Sequence, residues 1–229
     1  MIHTIAFDAD DTLWENLTFF NEVEANVAEL LSDFCEPDAF ARTLVETERR
    51  NISLYGYGFK TFTLCMLEAA WEVSSGRVSA DTLNAIRVAG KNVLEHGVDI
   101  MPHVEDTLAA LEGYRRIVIT KGDLFHQEAK LMASGLSRFF EEEHVVSEKE
   151  PATYRRILGE HAERCVMVGN SPGSDIRPML DAGGWAIFVP HDLDWELDGA
   201  APPEHERLRT GTMSDVPRLV EEIEEAMRA

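Results

Sequence analysis

The sequence predicts an α/β protein: a doubly wound parallel sheet with an inserted all-helical lobe. Three observations lead there. After residue 100, short apolar runs alternate with segments of helical periodicity, whereas the stretch from Glu15 to about Ile100 shows helical periodicity alone. The third is size: 229 residues, 45% of them hydrophobic, supply apolar material for one large domain with a second lobe, against a common domain size of ~100–200 residues.

The elements follow in order. Ile5-Ala6-Phe7 opens the series of apolar runs, and Ile117-Val118-Ile119, Val166-Met167-Val168 and Ala186-Ile187-Phe188-Val189 continue it, each ending in a polar, Gly-rich or acidic turn. Runs this short and this apolar suit strands covered on both faces. Val145-Val146 suggests one further strand. Helical spacing appears at Val104, Leu108 and Leu111, from Leu124 to Leu131, at Tyr154, Ile157 and Leu158, and at Ile176, Met179 and Leu180. Strands alternating with helices imply a parallel sheet whose ligands bind at the carboxyl ends of the strands. In the inserted stretch the apolar spacing predicts helices over roughly 17–34, 38–50, 60–74 and 79–96, with Pro37 and Ser79 at helix starts. The expected division is therefore a sheet domain of 1–14 and 101–229 and a helical domain of 15–100. Ala200 to Pro203 opens a polar loop, and Val216 to Met227 forms a last acidic amphipathic helix. There is no internal repeat.

Composition narrows the partners. Forty-two Asp and Glu against 21 Lys and Arg give a formal charge of −21, which opposes the clustered cations that nucleic acid or an anionic membrane surface requires. Cys35, Cys65 and Cys165 are odd in number and far apart; they fit neither a disulfide framework nor paired thiolate zinc ligands and read as reduced core residues of a cytoplasmic protein. The N-terminus lacks a basic segment followed by an apolar one, and no run approaches the ~18 apolar residues of a membrane helix. The sequence leaves the oligomeric state open.

Chemistry concentrates in four places. Phe7-Asp8-Ala9-Asp10-Asp11-Thr12-Leu13 puts three carboxylates in four positions at a strand end, a costly arrangement without compensating cations, hydrogen bonds or solvent. It reads either as an acidic turn capping a helix or as a divalent cation site with a carboxylate nucleophile, whose hard oxygen donors suit Mg²⁺. Ile119-Thr120-Lys121-Gly122-Asp123 brings a hydroxyl, a Gly and a helix cap to the end of the second run; it is a strand-end turn or a phosphate cradle. Gly169-Asn170-Ser171-Pro172-Gly173-Ser174-Asp175 follows the third run and aims Asp175 at the same sheet end as Asp8. Lys149, just before Pro151, is either a solvated charge or the cation that offsets these carboxylates.

In this order the four pieces resemble the haloacid dehalogenase-like hydrolase superfamily. The first motif matches Asp8-Ala9-Asp10, the second Thr120, the third Lys149, and the last Gly169 to Asp175; the helical insertion resembles the family's C1-type cap, so the resemblance spans nearly the whole chain. It implies that Asp8 attacks phosphorus and becomes an aspartyl-phosphate, while Asp10 protonates the leaving oxygen and later deprotonates water. It further implies Mg²⁺ held by Asp8, the Asp10 carbonyl and Asp175 with Asn170 beside them, and a small phosphorylated substrate bound by Thr120, Lys121, Gly122 and Lys149. Two departures stand out: Asn170 replaces the first of two acidic residues common in the last motif, and the usual Lys-Pro pair is split as Lys149-Glu150-Pro151. Lys130, inside the following helix, is the other candidate for the lysine role.

Dehalogenases lose halide without protonation and need neither the second acid nor the metal, so Asp10 favours phosphatase chemistry within the family. A phosphomutase, a phospho-accepting receiver domain and a noncatalytic binding protein are the rival expectations. Leu54-Tyr55-Gly56-Tyr57-Gly58-Phe59-Lys60 is the one aromatic, Gly-rich interhelical stretch of the insertion; it is a tight turn, or a substrate loop that uses Tyr55 or Tyr57. Pro190 to Glu196, with His191 among scattered acids, reads as a solvated loop and is given no role.

Overall fold

The computed structural model describes residues 1–193 and 201–229. The loop start at Ala200 and the acids Asp194 and Glu196 lie outside the described residues. The chain divides into two compact units, Met1–Glu15 with Val98–Ala229, and Asn16–Gly97.

The first unit is built on a six-stranded, all-parallel sheet, β1 (Thr4–Phe7), β2 (Arg115–Lys121), β3 (Glu142–Val146), β4 (Cys165–Gly169), β5 (Trp185–Phe188) and β6 (Leu208–Thr210), in the order β3-β2-β1-β4-β5-β6. Because side chains alternate across a strand, the apolar runs feed two cores at once. Ile5, Phe7, Val118, Val166 and Val168 pack with α5 (Val104–Ala110) and α9 (Val216–Ala226). Ala6, Ile117, Ile119 and Met167 pack on the opposite face with Tyr154 of α7 (Pro151–Leu158) and Met179 of α8 (Arg177–Asp181). Strand order reverses direction at β1, between β2 and β4, and at such a switch point the loops diverge and leave a crevice. Asp8 and Asn170 begin the loops after β1 and β4 there, and Thr120 stands near the carboxyl end of β2.

The second unit holds α1 (Leu17–Leu30), α2 (Pro37–Tyr55), α3 (Phe59–Val73) and α4 (Ala80–Leu94) around its own core, in which Phe40, Leu44, Phe62, Met66 and Ile86 are buried. Pro37 is the first residue of α2, where its missing N–H costs nothing, and the Ser79 hydroxyl caps α4 by accepting from the Thr82 N–H at 3.0 Å.

Several expectations need correction. Tyr55 is the last residue of α2, so the turn before α3 is only Gly56-Tyr57-Gly58, with both glycines at positive φ, 75° and 109°. β6 was not foreseen: Leu208-Arg209-Thr210 is too short and too polar to register as an apolar run. Cys35 is only half-buried, while Cys65 and Cys165 are buried; all three are free thiols. Among the described residues no helix is long and apolar enough to cross a membrane.

Candidate active site

The three clustered carboxylates of the β1 loop diverge, each toward a different basic group. Asp8 bonds Lys149 Nζ, and the same nitrogen bonds Asp175 Oδ1 at 2.7 Å. Asp10 Oδ1 lies 2.5 Å from Lys130 Nζ. Asp11, in the left-handed region at φ 60°, faces the buried imidazole of His191, whose Nε2 stands 3.9 Å from Asp11 Oδ1 and 3.4 Å from Glu15 Oε2. Local sequence therefore creates a repulsion that only tertiary structure relieves. Sequence alone offers His191 no role, since nothing in its own polar segment points to Asp11.

Asp8, Lys149 and Asp175 form the most buried part of the site, with side chains 9%, 2% and 0% exposed. Thr12 Oγ1 lies 3.2 Å from both Asp8 Oδ2 and Asn170 Oδ1, which ties the loop after β1 to the loop after β4. The Ser171 N–H donates to Asp175 Oδ2 at 3.0 Å. Gly169 permits this packing, since a Cβ there would fall 2.3 Å from Asp175 Oδ2. Burial, then the charge of Asp175, push the Asp8 carboxyl from 3.8 up to about 7, against the pull of Lys149. Burial works against the Lys149 ammonium too, yet Asp175 and Asp8 outweigh it and hold its pKa above the usual lysine value. The buried Tyr154, whose hydroxyl donates to Ser174 O at 3.1 Å, is raised well above 10, first by burial and then by Asp175 and Asp8.

Asp10 has a different setting. Its Oδ1 accepts from Trp14 Nε1 at 2.7 Å as well as from Lys130, and its Oδ2 accepts from Gln127 Nε2 at 3.1 Å. Burial would raise this carboxyl, but Lys130 and the two further donors hold it below the usual carboxylate range. Gln127 Nε2 also reaches Thr120 Oγ1 at 2.8 Å and Lys121 O at 3.0 Å, which connects Thr120 to Asp10. Lys121 Nζ donates to Ser174 Oγ at 2.8 Å, joining the end of β2 to the turn after β4. Gly122, at φ 140°, leaves room for Gln127: a Cβ would stand 3.1 Å from Gln127 Cγ. Asp123 caps α6 (Leu124–Ala133), accepting from the His126 N–H at 3.1 Å.

The structure thus brings Asp8, Lys149 and Asp175 together directly, and links Asp10 and Thr120 through Gln127. Tyr55 and Tyr57 belong to the helical unit, where the Tyr55 hydroxyl donates to Glu68 Oε1 at 3.0 Å. The oxygen groups near Asp8 suit a hard cation: the Asp8 and Asp175 carboxylates and the Asn170 amide oxygen are ligands of the kind Mg²⁺ takes. The charge balance agrees, because Asp8 and Asp175 are two buried carboxylates sharing one lysine.

Known proteins match along most of the chain. The family described as haloacid dehalogenase-like hydrolase matches residues 2–183. A glyceraldehyde 3-phosphate phosphatase from Methanothermobacter thermautotrophicus is 27% identical over 211 residues, covering 84% of this chain and 88% of the relative. A crystal structure of a haloacid dehalogenase-like family hydrolase from Xanthomonas campestris superposes with a TM-score of 0.90 at 39% identity, over 99% of this chain and 94% of the other. An L-2-haloacid dehalogenase from Xanthobacter autotrophicus, with chloropropionic acid covalently bound, shares the fold with a TM-score of 0.61 at 18% identity, over 96% and 99% of the two chains. With its motif carboxylates and lysine gathered at the switch point of a doubly wound sheet, the chain belongs to the haloacid dehalogenase-like hydrolases.

Proposed function

We propose that the protein is a Mg²⁺-dependent phosphatase that hydrolyses a small phosphorylated metabolite through an aspartyl-phosphate on Asp8. One observation carries the reading: a second carboxylate, Asp10, stands two residues after the nucleophile, held by three donors while still about a quarter exposed. Halide displacement has no use for a second acid, whereas an alkoxide leaving group needs a proton. The name of the phosphatase relative supports the same chemistry and suggests a short-chain sugar phosphate.

In this mechanism the entering phosphate dianion, a like charge beside Asp10, favours its protonated form against the pull of Lys130, so Asp10 takes up a proton as the substrate binds. An Asp8 oxygen attacks phosphorus, the bond to the leaving oxygen breaks, and Asp10 gives that oxygen its proton. Water then attacks the phosphorus of the aspartyl-phosphate, Asp10 takes the water's proton, and the bond to Asp8 breaks to release inorganic phosphate. Lys149 and Thr120 hold the phosphoryl oxygens, with Lys121 and the Gly122 backbone at the rim. A divalent cation bound by Asp8, the Asp10 carbonyl and Asp175, with Asn170 adjacent, would neutralise the charge gathered between nucleophile and phosphate. Free thiols fit a reducing cytoplasm. Tyr55 and Tyr57 are the candidates for contacts to the leaving group, and a Tyr57→Phe protein with the wild-type substrate ranking would remove Tyr57.

The test is phosphate release from a panel of phosphorylated metabolites, with and without Mg²⁺, by the wild type and Asp8→Asn. Release that needs both Mg²⁺ and Asp8 is expected. A folded wild-type protein that releases phosphate from no ester would overturn the proposal.

A further inference from the structure

We propose that Gln127 and Lys130 of α6 are positioning residues, which together aim Asp10 at the leaving group and turn the Thr120 hydroxyl toward the phosphoryl group. The proposal rests on the phosphatase reading and names residues outside its motifs.

The two residues are three apart on a helix and so project from the same side of it. Gln127 is buried, 2% exposed. Its single amide nitrogen meets Thr120 Oγ1, Asp10 Oδ2 and Lys121 O at 2.8, 3.1 and 3.0 Å. An NH₂ group only donates, so Thr120 spends an acceptor lone pair on Gln127 and keeps its hydrogen for another partner. That hydrogen rests on Lys121 O at 3.2 Å, long for an O–H bond, and a phosphoryl oxygen is the better acceptor. Lys130 fixes the other Asp10 oxygen at 2.5 Å, beside the Trp14 N–H, and lies 5.7 Å over the Trp14 ring. Asp10 thus has donors on both oxygens, and rotation about its side-chain bonds breaks at least one of them. Gly122 belongs to the same device, because its missing side chain makes room for Gln127.

The experiment compares two esters. p-Nitrophenyl phosphate releases a stable phenolate that needs no proton, whereas β-glycerophosphate, or the fastest alkyl ester of the panel, releases an alkoxide that does. The quantity read is kcat/KM, which ends at release of the first alcohol and leaves out the dephosphorylation common to both. Misaiming Asp10 therefore costs mainly the alkyl ester. Lys130→Met and the near-isosteric Gln127→Glu, which places a carboxylate against Asp10, are expected to lower kcat/KM on the alkyl ester by about 10- to 100-fold, and on the aryl ester several-fold less. Lys130→Arg is expected to recover most of the loss. Partial unfolding scales both esters alike and cannot produce this discrimination. Wild-type turnover of both esters with equal losses in the variants, or with none, overturns the inference alone. Wild-type failure on both esters overturns the phosphatase reading and the inference with it.

Discussion

Asp8→Asn is expected to make the protein more stable in the absence of divalent cations, and only above weakly acidic pH. A carboxyl moved from 3.8 to about 7 holds its proton more tightly when folded by on the order of 4 kcal/mol, at about 1.36 kcal/mol per tenfold in affinity. The sign follows from proton counting. Below pH ~4 Asp8 is protonated in both states and costs nothing. Between ~4 and ~7 the unfolded chain has released a proton that the folded chain keeps, so stability falls as pH rises; above ~7 both states are ionised and the whole cost of the buried charge is present.

Asparagine removes that cost and leaves Lys149 balanced by Asp175 at 2.7 Å. The amide also fits: its oxygen can accept from Lys149, and its nitrogen can donate to Thr12 Oγ1, whose hydrogen turns to Asn170 Oδ1. Urea unfolding with EDTA at pH 5 and pH 8 measures the effect. The variant should gain several kcal/mol over wild type at pH 8 and clearly less at pH 5. Mg²⁺ should narrow the gap at pH 8, since a ligand of the folded state alone stabilises it. Lys149→Met is the opposite control, destabilised at pH 8 by roughly 3–5 kcal/mol because two buried carboxylates lose their shared cation. An Asp8→Asn protein no more stable than wild type at pH 8, or equally stabilised at both pH values, refutes the reasoning.

Two further outcomes follow from close packing. Gly169→Ala puts a methyl group 2.3 Å from Asp175 Oδ2 and 2.5 Å from its Cγ, and Asp175 is fully buried and bonded to Lys149 and the Ser171 N–H; unfolding should show a loss of about 1–3 kcal/mol, with phosphatase activity and Mg²⁺-induced stabilisation both abolished. In the helical unit, Gly90→Ala would ordinarily add ~1 kcal/mol of helix propensity, but its Cβ falls 2.0 Å from Thr63 Oγ1 and 2.8 Å from Thr63 Cβ, so the melting temperature read by circular dichroism should fall; a rise would show that α3 and α4 separate easily.

Most of the sheet was legible because β1, β2, β4 and β5 carry runs of buried residues, and continuous apolar runs such as Val166-Met167-Val168 have no other economical use. Helix starts were legible where capping is local: Pro37, Ser79 and Asp123 act within one turn of themselves. β6 was hidden because Leu208-Arg209-Thr210 gains its strand character from pairing with β5, not from its own composition. The turn after β4 has no signature in the sequence: Pro172–Ile176 winds as a π-helical turn, and the Ser171 carbonyl accepts from both the Asp175 and Ile176 N–H groups. Tight turns of this kind depend on where Asp175 must point, which no local propensity encodes.

The site divides along the same line. Motif spacing located Asp8, Thr120, Lys149 and Asp175, but the partner of each carboxylate is a tertiary fact. Lys130 looked like a substitute for Lys149, whereas the two lysines serve different acids: Lys149 bonds Asp8 and Asp175, and Lys130 bonds Asp10. Gln127 left one faint signal, a polar residue three positions before Lys130 on an amphipathic helix that starts just after Thr120. The division of labour also gives Asn170 a physical reading. Asp8, Asp10 and Asp175 set against Lys121, Lys130 and Lys149 balance in formal charge, and an acid at position 170 would leave one negative charge in excess. On the phosphatase reading proposed above, a phosphate dianion enters this site on a protein of formal charge −21, where long-range steering opposes it. An amide at position 170 keeps an oxygen that bonds Thr12 Oγ1 at 3.2 Å and adds no charge beside the two buried carboxylates that share Lys149.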